Sequence, residues 1–164
     1  MLFSLWALPA HGAQAPAVSA SAAVLMEAES GRLLFSRNER EQLPMASTTK
    51  IMTALLTLEQ PDREVTITEE MVRVEGSSMG LRAGDRLTLH GLAAGMLAAS
   101  GNDAANAAAI LIDGSLSAFA ERMNRRAQEL GLTDTHFVTS SGLDSEGHYS
   151  TARHMALLAR AELG

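Results

Sequence analysis

Residues 91 to 113, "GLAAGMLAASGNDAANAAAILID", constrain the fold of this chain more than any other stretch. Alanine has the highest helix propensity, and leucine and methionine follow closely. "GLAAGMLAAS" and "AANAAAILID" therefore read as two helices, broken once at Ser100-Gly101-Asn102-Asp103. Serine, glycine, asparagine and aspartate are helix-boundary residues, so Asn102 or Asp103 can simply cap the second helix. A tight loop between two helices can equally hold a hydroxyl and a side-chain amide in a cleft. At this point both readings stand.

The rest of the chain supplies strands and further helices. "AAVLMEAESGRLLFSRN" is two extended runs around Glu29-Ser30-Gly31, the pattern of a β-hairpin. "REVTITEE" and "DRLTLH" alternate apolar and polar residues, the second following the turn signal Ala83-Gly84-Asp85. "STTKIMTALLTLEQ" places Ile51, Leu55 and Leu58 at helical spacing, with Pro61 just past its end. "SAFAERMNRRAQEL" is an amphipathic helix closed by Gly131. A loop rich in Gly, Ser and Asp, "TSSGLDSEGHYS", leads to a last helix, "TARHMALLARAEL". With 164 residues, 46% of them apolar, and no repeats, this is one α/β unit or a piece of a larger one.

Charge and composition exclude several classes. The net charge is −6 and there is no basic run, which argues against a nucleic-acid partner. With no cysteine, disulfides and thiolate metal sites are excluded. The start, "MLFSLWALPAHGAQAPA", is a short apolar run with Ala13-Gln14-Ala15 as a small-x-small cleavage site. It lacks a basic n-region, and Pro16 disfavours a cut directly after Ala15, so the cut falls nearby or the leader is trimmed. Residues 1–17 are expected to be the remnant of a signal peptide, with the folded part beginning at residue 18 and an extracytoplasmic location.

Lys50 is the only lysine; the other twelve basic residues are arginines. Arginine serves as well in ion pairs, but it does not deprotonate and cannot accept a proton. A lysine loses its proton near neutrality when it is buried or placed beside another positive charge. Ser47 lies three residues earlier, on the same helical face and near the helix start. There the helix dipole favours a developing alkoxide and disfavours an ammonium. The pair is a candidate nucleophile and base. The plain alternative is that "AST" only caps the helix.

"STTK" followed by "SGN" resembles the active-site serine penicillin-recognising enzymes, whose signature is S-x-x-K, S-x-N and K-T-G. More closely, the chain resembles the serine D-Ala-D-Ala carboxypeptidases among the low-molecular-mass penicillin-binding proteins. Three ordered blocks carry the resemblance: "PMASTTKIMTALLTLE", "EGSSMGLRAGDRLTLHGLAAGMLAASGNDAANAAA" and "TSSGLDSEGHYSTARHMALLAR". It implies an α/β (α+β) fold, an antiparallel sheet flanked by helices with an all-helical lobe. It also implies Ser47 as acyl-ester nucleophile, Lys50 as proton acceptor and Ser100 as the second active-site serine. Asn102 would bind the substrate backbone or bond Lys50. The oxyanion hole would use the Ser47 N–H and one from an inner strand. The implied partners are a peptidoglycan stem peptide ending in D-Ala-D-Ala and β-lactam antibiotics. No metal or cofactor is implied.

The chain departs from the family pattern in two places. His154 stands where the family often has an acidic residue, and is read as a surface or packing change. With one lysine, the K-T-G motif is absent. The chain is therefore expected to be the N-terminal part of a longer catalytic domain, without the strand bearing that motif and without any C-terminal membrane-surface anchor. A class A β-lactamase is disfavoured, since no E-x-x-x-N follows "SGN". A catalytically incomplete wall-binding scaffold stays as the alternative from another class.

Overall fold

The computed structural model describes residues 15–163. The expected leader lies outside them except for residues 15–17. The order is β1 (Ala23–Met26), β2 (Leu33–Arg37), a 3-10 turn (Ala46–Thr49), α1 (Lys50–Leu58), β3 (Glu64–Thr66) and β4 (Arg86–Thr88). Then come α2 (Leu89–Ala99), α3 (Asn102–Asp113), α4 (Leu116–Glu129) and α5 (Ala152–Leu163). The strands form two antiparallel pairs, β1 with β2 and β3 with β4.

Each element begins and ends for a local reason. The β1–β2 turn needs a residue at positive φ, and Gly31 takes it at 73°. The Glu27 carboxylate braces the same turn through the N–H groups of Glu29 and Ser30. The Thr88 hydroxyl caps α2 by accepting from Gly91 N–H, and Ser115 caps α4 by accepting from Ala118 N–H. α4 closes with Gly131 at φ 72°, Leu132 N–H bonding Ala127 O and Gly131 N–H bonding Gln128 O. That is the Schellman closure the sequence led us to expect. α2 closes differently: Ser100 itself adopts φ 53°, a left-handed conformation that costs a side-chain-bearing residue about 1–2 kcal/mol.

α3 is the centre of the molecule. Ala104, Ala105, Ala107 and Ala108 are fully buried in a core shared with α2 and the β3–β4 pair, together with Leu92, Met96, Val65 and Ile67. Ala109 faces a second core, formed with Met52, Leu56, Phe119, Met123, Phe137 and Leu158. A helix buried on several sides can carry only small apolar residues where its neighbours come closest. α5 packs on β1, and the Arg160 guanidinium reaches the hairpin turn, donating to Ala28 O at 2.7 Å and Glu29 O at 2.8 Å. Between α4 and α5, residues 130–151 run across the end of α1, tied by single bridges of Leu43 with Ser150 and His136 with Tyr149. Among the described residues no helix is long and apolar enough to cross a membrane.

Candidate active site

Ser47 sits on the 3-10 turn and Lys50 opens α1, so the helix start expected between them is where the chain places it. The turn is entered through Ala46 at φ 45°, a strained conformation of the kind that collects at functional sites. Ser47 is exposed, whereas Lys50 is only 2% exposed. Lys50 Nζ lies 3.3 Å from Ser47 Oγ and donates to Ser141 O at 2.8 Å. Among the described residues no carboxylate pairs with Lys50. Burial without a counter-charge pushes the ammonium below the ordinary lysine range. A neutral amine in this place can take the Ser47 proton.

The site's floor is the segment 138–142, which the sequence showed only as a loop. Ser140 O accepts from Thr53 Oγ1 at 2.6 Å, and Ser140 Oγ donates to Asn106 Oδ1 at 2.9 Å. Gly142, at φ 86°, presses so closely on the Ser47 turn that a Cβ there would lie 1.9 Å from Ala46 O. His148 bonds Thr49 Oγ1 through Nε2 at 2.8 Å. These partners act mostly through backbone carbonyls and N–H groups, which leave no side-chain signature. Only the block "TSSGLDSEGHYS" marked the region.

The α2–α3 break carries Ser100 and Asn102. Ser100 is half-buried in its left-handed conformation. Asn102 is buried, and its Nδ2 donates to Glu75 O at 2.7 Å. Of the two expected partners for Asn102, Lys50 is not bonded to it among the described residues. The N-cap of α3 is Gly101, with no side-chain cap bond, rather than Asn102 or Asp103; Asp103 stands in the first turn and accepts from Ala104 N–H at 2.9 Å. Its carboxylate also receives Ser78 Oγ at 2.6 Å, Met79 N–H at 2.8 Å, and the N–H groups of Gly80 and Leu81 at 3.0 Å each. Burial pushes this carboxyl up, but the hydrogen bonds from Ser78 and the backbone outweigh it and hold the group below the usual carboxylate range. Residues 75–81 are thereby fastened over the break. An open groove of about 510 Å³ lies between this loop and the floor, lined by Arg73, Val74, Glu75, Asn106 and Leu143.

His154 is a packing residue rather than a surface one: it is buried, and its Nδ1 lies 3.1 Å from Thr135 Oγ1, itself 2.8 Å from Ser150 Oγ. Among the described residues no group of three His, Asp or Glu side chains is placed to hold a metal ion.

Comparison with known proteins places the chain in a family. The family model for Peptidase S11, D-alanyl-D-alanine carboxypeptidase, matches residues 10–163. The D-alanyl-D-alanine carboxypeptidase DacF of Bacillus subtilis is 41% identical over 148 residues, 86% of this chain and 38% of its own length. DacC of Escherichia coli, another D-alanyl-D-alanine carboxypeptidase, is 40% identical over 161 residues, 90% of this chain and 40% of its own length. The chain thus spans well under half of these relatives. Among solved structures, penicillin binding protein 6B from Escherichia coli superposes with a TM-score of 0.85 at 37% identity, covering 94% of this chain and 53% of that one. Penicillin binding protein 5 from Haemophilus influenzae superposes at 0.83 with 33% identity, covering 93% of this chain and 47% of that one. The fold is that of the penicillin-binding D,D-peptidases, and the chain belongs to the D-alanyl-D-alanine carboxypeptidase family, Peptidase S11.

Proposed function

We propose that this chain carries the nucleophile and base of a serine D-alanyl-D-alanine carboxypeptidase. The enzyme would remove the terminal D-Ala of peptidoglycan stem peptides through an acyl-enzyme that β-lactams also form. One observation carries the reading: a buried lysine with no carboxylate partner among the described residues, held by Ser141 O with its Nζ 3.3 Å from the exposed Ser47 hydroxyl. Lys50 accepts the Ser47 proton as Ser47 Oγ attacks the carbonyl of the penultimate D-Ala. Ser100 passes a proton on to the departing D-Ala amine, and collapse of the tetrahedral intermediate breaks the peptide bond. Water then hydrolyses the ester. With Asn102 Nδ2 committed to Glu75 O, its Oδ1 is the atom left to receive a substrate N–H. The groove between Glu75 and Leu143 takes the upstream stem peptide. A stem-peptide substrate fits an extracytoplasmic location, with residues 1–17 as the export leader. In the full chain, Ser47→Ala should abolish covalent labelling by a fluorescent penicillin. Labelling that persists would remove Ser47 as the nucleophile.

A further inference from the structure

The segment that supplies the Ser141 carbonyl to Lys50 is itself held by one imidazole. His148 is buried, and its Nδ1 accepts from the backbone N–H groups of Val138 at 2.9 Å and Thr139 at 3.4 Å. A ring nitrogen that accepts carries no proton, so the neutral ring has its proton on Nε2. Nε2–H therefore donates to Thr49 Oγ1, 2.8 Å away. Thr49 is buried on the turn between Ser47 and Lys50. One side chain thus ties the turn bearing the nucleophile to the segment that anchors the base.

We propose that His148 is a positioning residue: its neutral Nε2–H tautomer holds the Ser141 carbonyl against Lys50, and a proton on Nδ1 releases it. The protonated ring would set its new N–H against the N–H groups of Val138 and Thr139, exchanging two hydrogen bonds for a repulsion. The proposal rests on Ser47 and Lys50 being nucleophile and base. Charged and titratable groups face the ring from each side. His136 is bridged to Tyr149 beside the ring, Asp144 lies on the loop before it, and Lys50 follows Thr49 at the start of α1. Burial first, then His136, press the ring's titration below the ordinary histidine range, against the pull of Asp144. Lys50 must also be neutral to act, so acylation on the acid side is controlled by two protons rather than one.

The test is the pH dependence of acylation of the full chain by a fluorescent penicillin, with ¹⁵N NMR of the His148 ring. In the wild-type chain the rate should fall about tenfold per pH unit while only Lys50 titrates, and about a hundredfold per unit below the His148 midpoint. That second break should coincide with the midpoint read by NMR, and above it the ring should show the Nε2–H tautomer. His148→Asn keeps an acceptor for Val138 N–H but cannot titrate, so its limb should stay at tenfold per unit. His136→Gln should keep the two-proton limb. A purely packing role for His148 would lower the rate equally at every pH and leave the slope unchanged. A one-proton limb in the wild-type chain would overturn the proposal, as would an Nδ1–H tautomer or a two-proton limb surviving in His148→Asn. The first result holds even where His148→Asn does not fold, since it needs no variant. Absence of labelling at every pH would instead overturn the reading of Ser47 and Lys50, and this proposal with it.

Discussion

Lys50 is buried, and a side chain so placed must give up its hydration. Among the described residues an ammonium there has only the Ser47 hydroxyl and the Ser141 carbonyl as hydrogen-bond partners, a costly environment for a charge. An amine has the same partners and no charge to desolvate. Arginine retains the charge and cannot shed it. Lys50→Arg is therefore expected to slow acylation by penicillin as much as Lys50→Ala does, by at least about a hundredfold, the usual contribution of a general base. Stopped-flow labelling of the three proteins measures this, and retention of the rate within tenfold in Lys50→Arg would make Lys50 an electrostatic residue only. The contact of Ser47 with Lys50 was legible because it joins two side chains at a helical spacing. Asn102 was legible as a residue but not in its contacts, since nothing local to "SGN" points to the carbonyl of Glu75 as the acceptor of its amide.

Among the elements, helices dominate what the sequence shows. Propensity and periodicity are local, and α2, α3, α4 and α5 lie where the alanine-rich and amphipathic runs put them. The hairpin and the separate β3 and β4 runs were readable for the same reason, from alternation and turn residues, while the pairing of β3 with β4 came from the fold. The segment from residue 130 to 151 was not, since its order comes from isolated bridges and side chains on other elements. Gly142 shows how closely this segment fits. Gly142→Ala puts a methyl 1.9 Å from Ala46 O, a severe clash, and asks a side-chain-bearing residue to hold φ 86°. The segment must lift from the turn, taking the Ser141 carbonyl with it. Acylation is expected to fall more than tenfold, because small displacements of a catalytic group cost that much or more. The rate of penicillin labelling of a variant shown by circular dichroism to be folded checks this, and an unchanged rate would separate the segment from the chemistry.

Across the whole molecule, His148 and His154 are both buried and link elements far apart in the chain. Burial is the leading cause that depresses each below the ordinary value of 6.5. The unfolded chain then binds more protons than the folded one between the folded and unfolded pKa values, so stability increases with pH through that window. Their contribution is complete above pH 6.5 and is lost as pH falls through the folded values, at about 1.4 kcal/mol for each unit of depression. Urea unfolding at pH 5 and pH 7.5 should show the lower midpoint at pH 5, and His154→Gln should narrow the gap; equal midpoints would show that neither ring is linked to folding. The sequence by itself determined the helices, the first hairpin, the alternating runs of β3 and β4 and the family, and offered Ser47 and Lys50 as a candidate pair, because each rests on neighbouring residues or on short ordered motifs. Only the tertiary structure decided which carbonyl anchors Lys50, what Asp103 fastens, and why burial depresses two histidines. Those are contacts between residues tens of positions apart, through backbone groups that every amino acid shares.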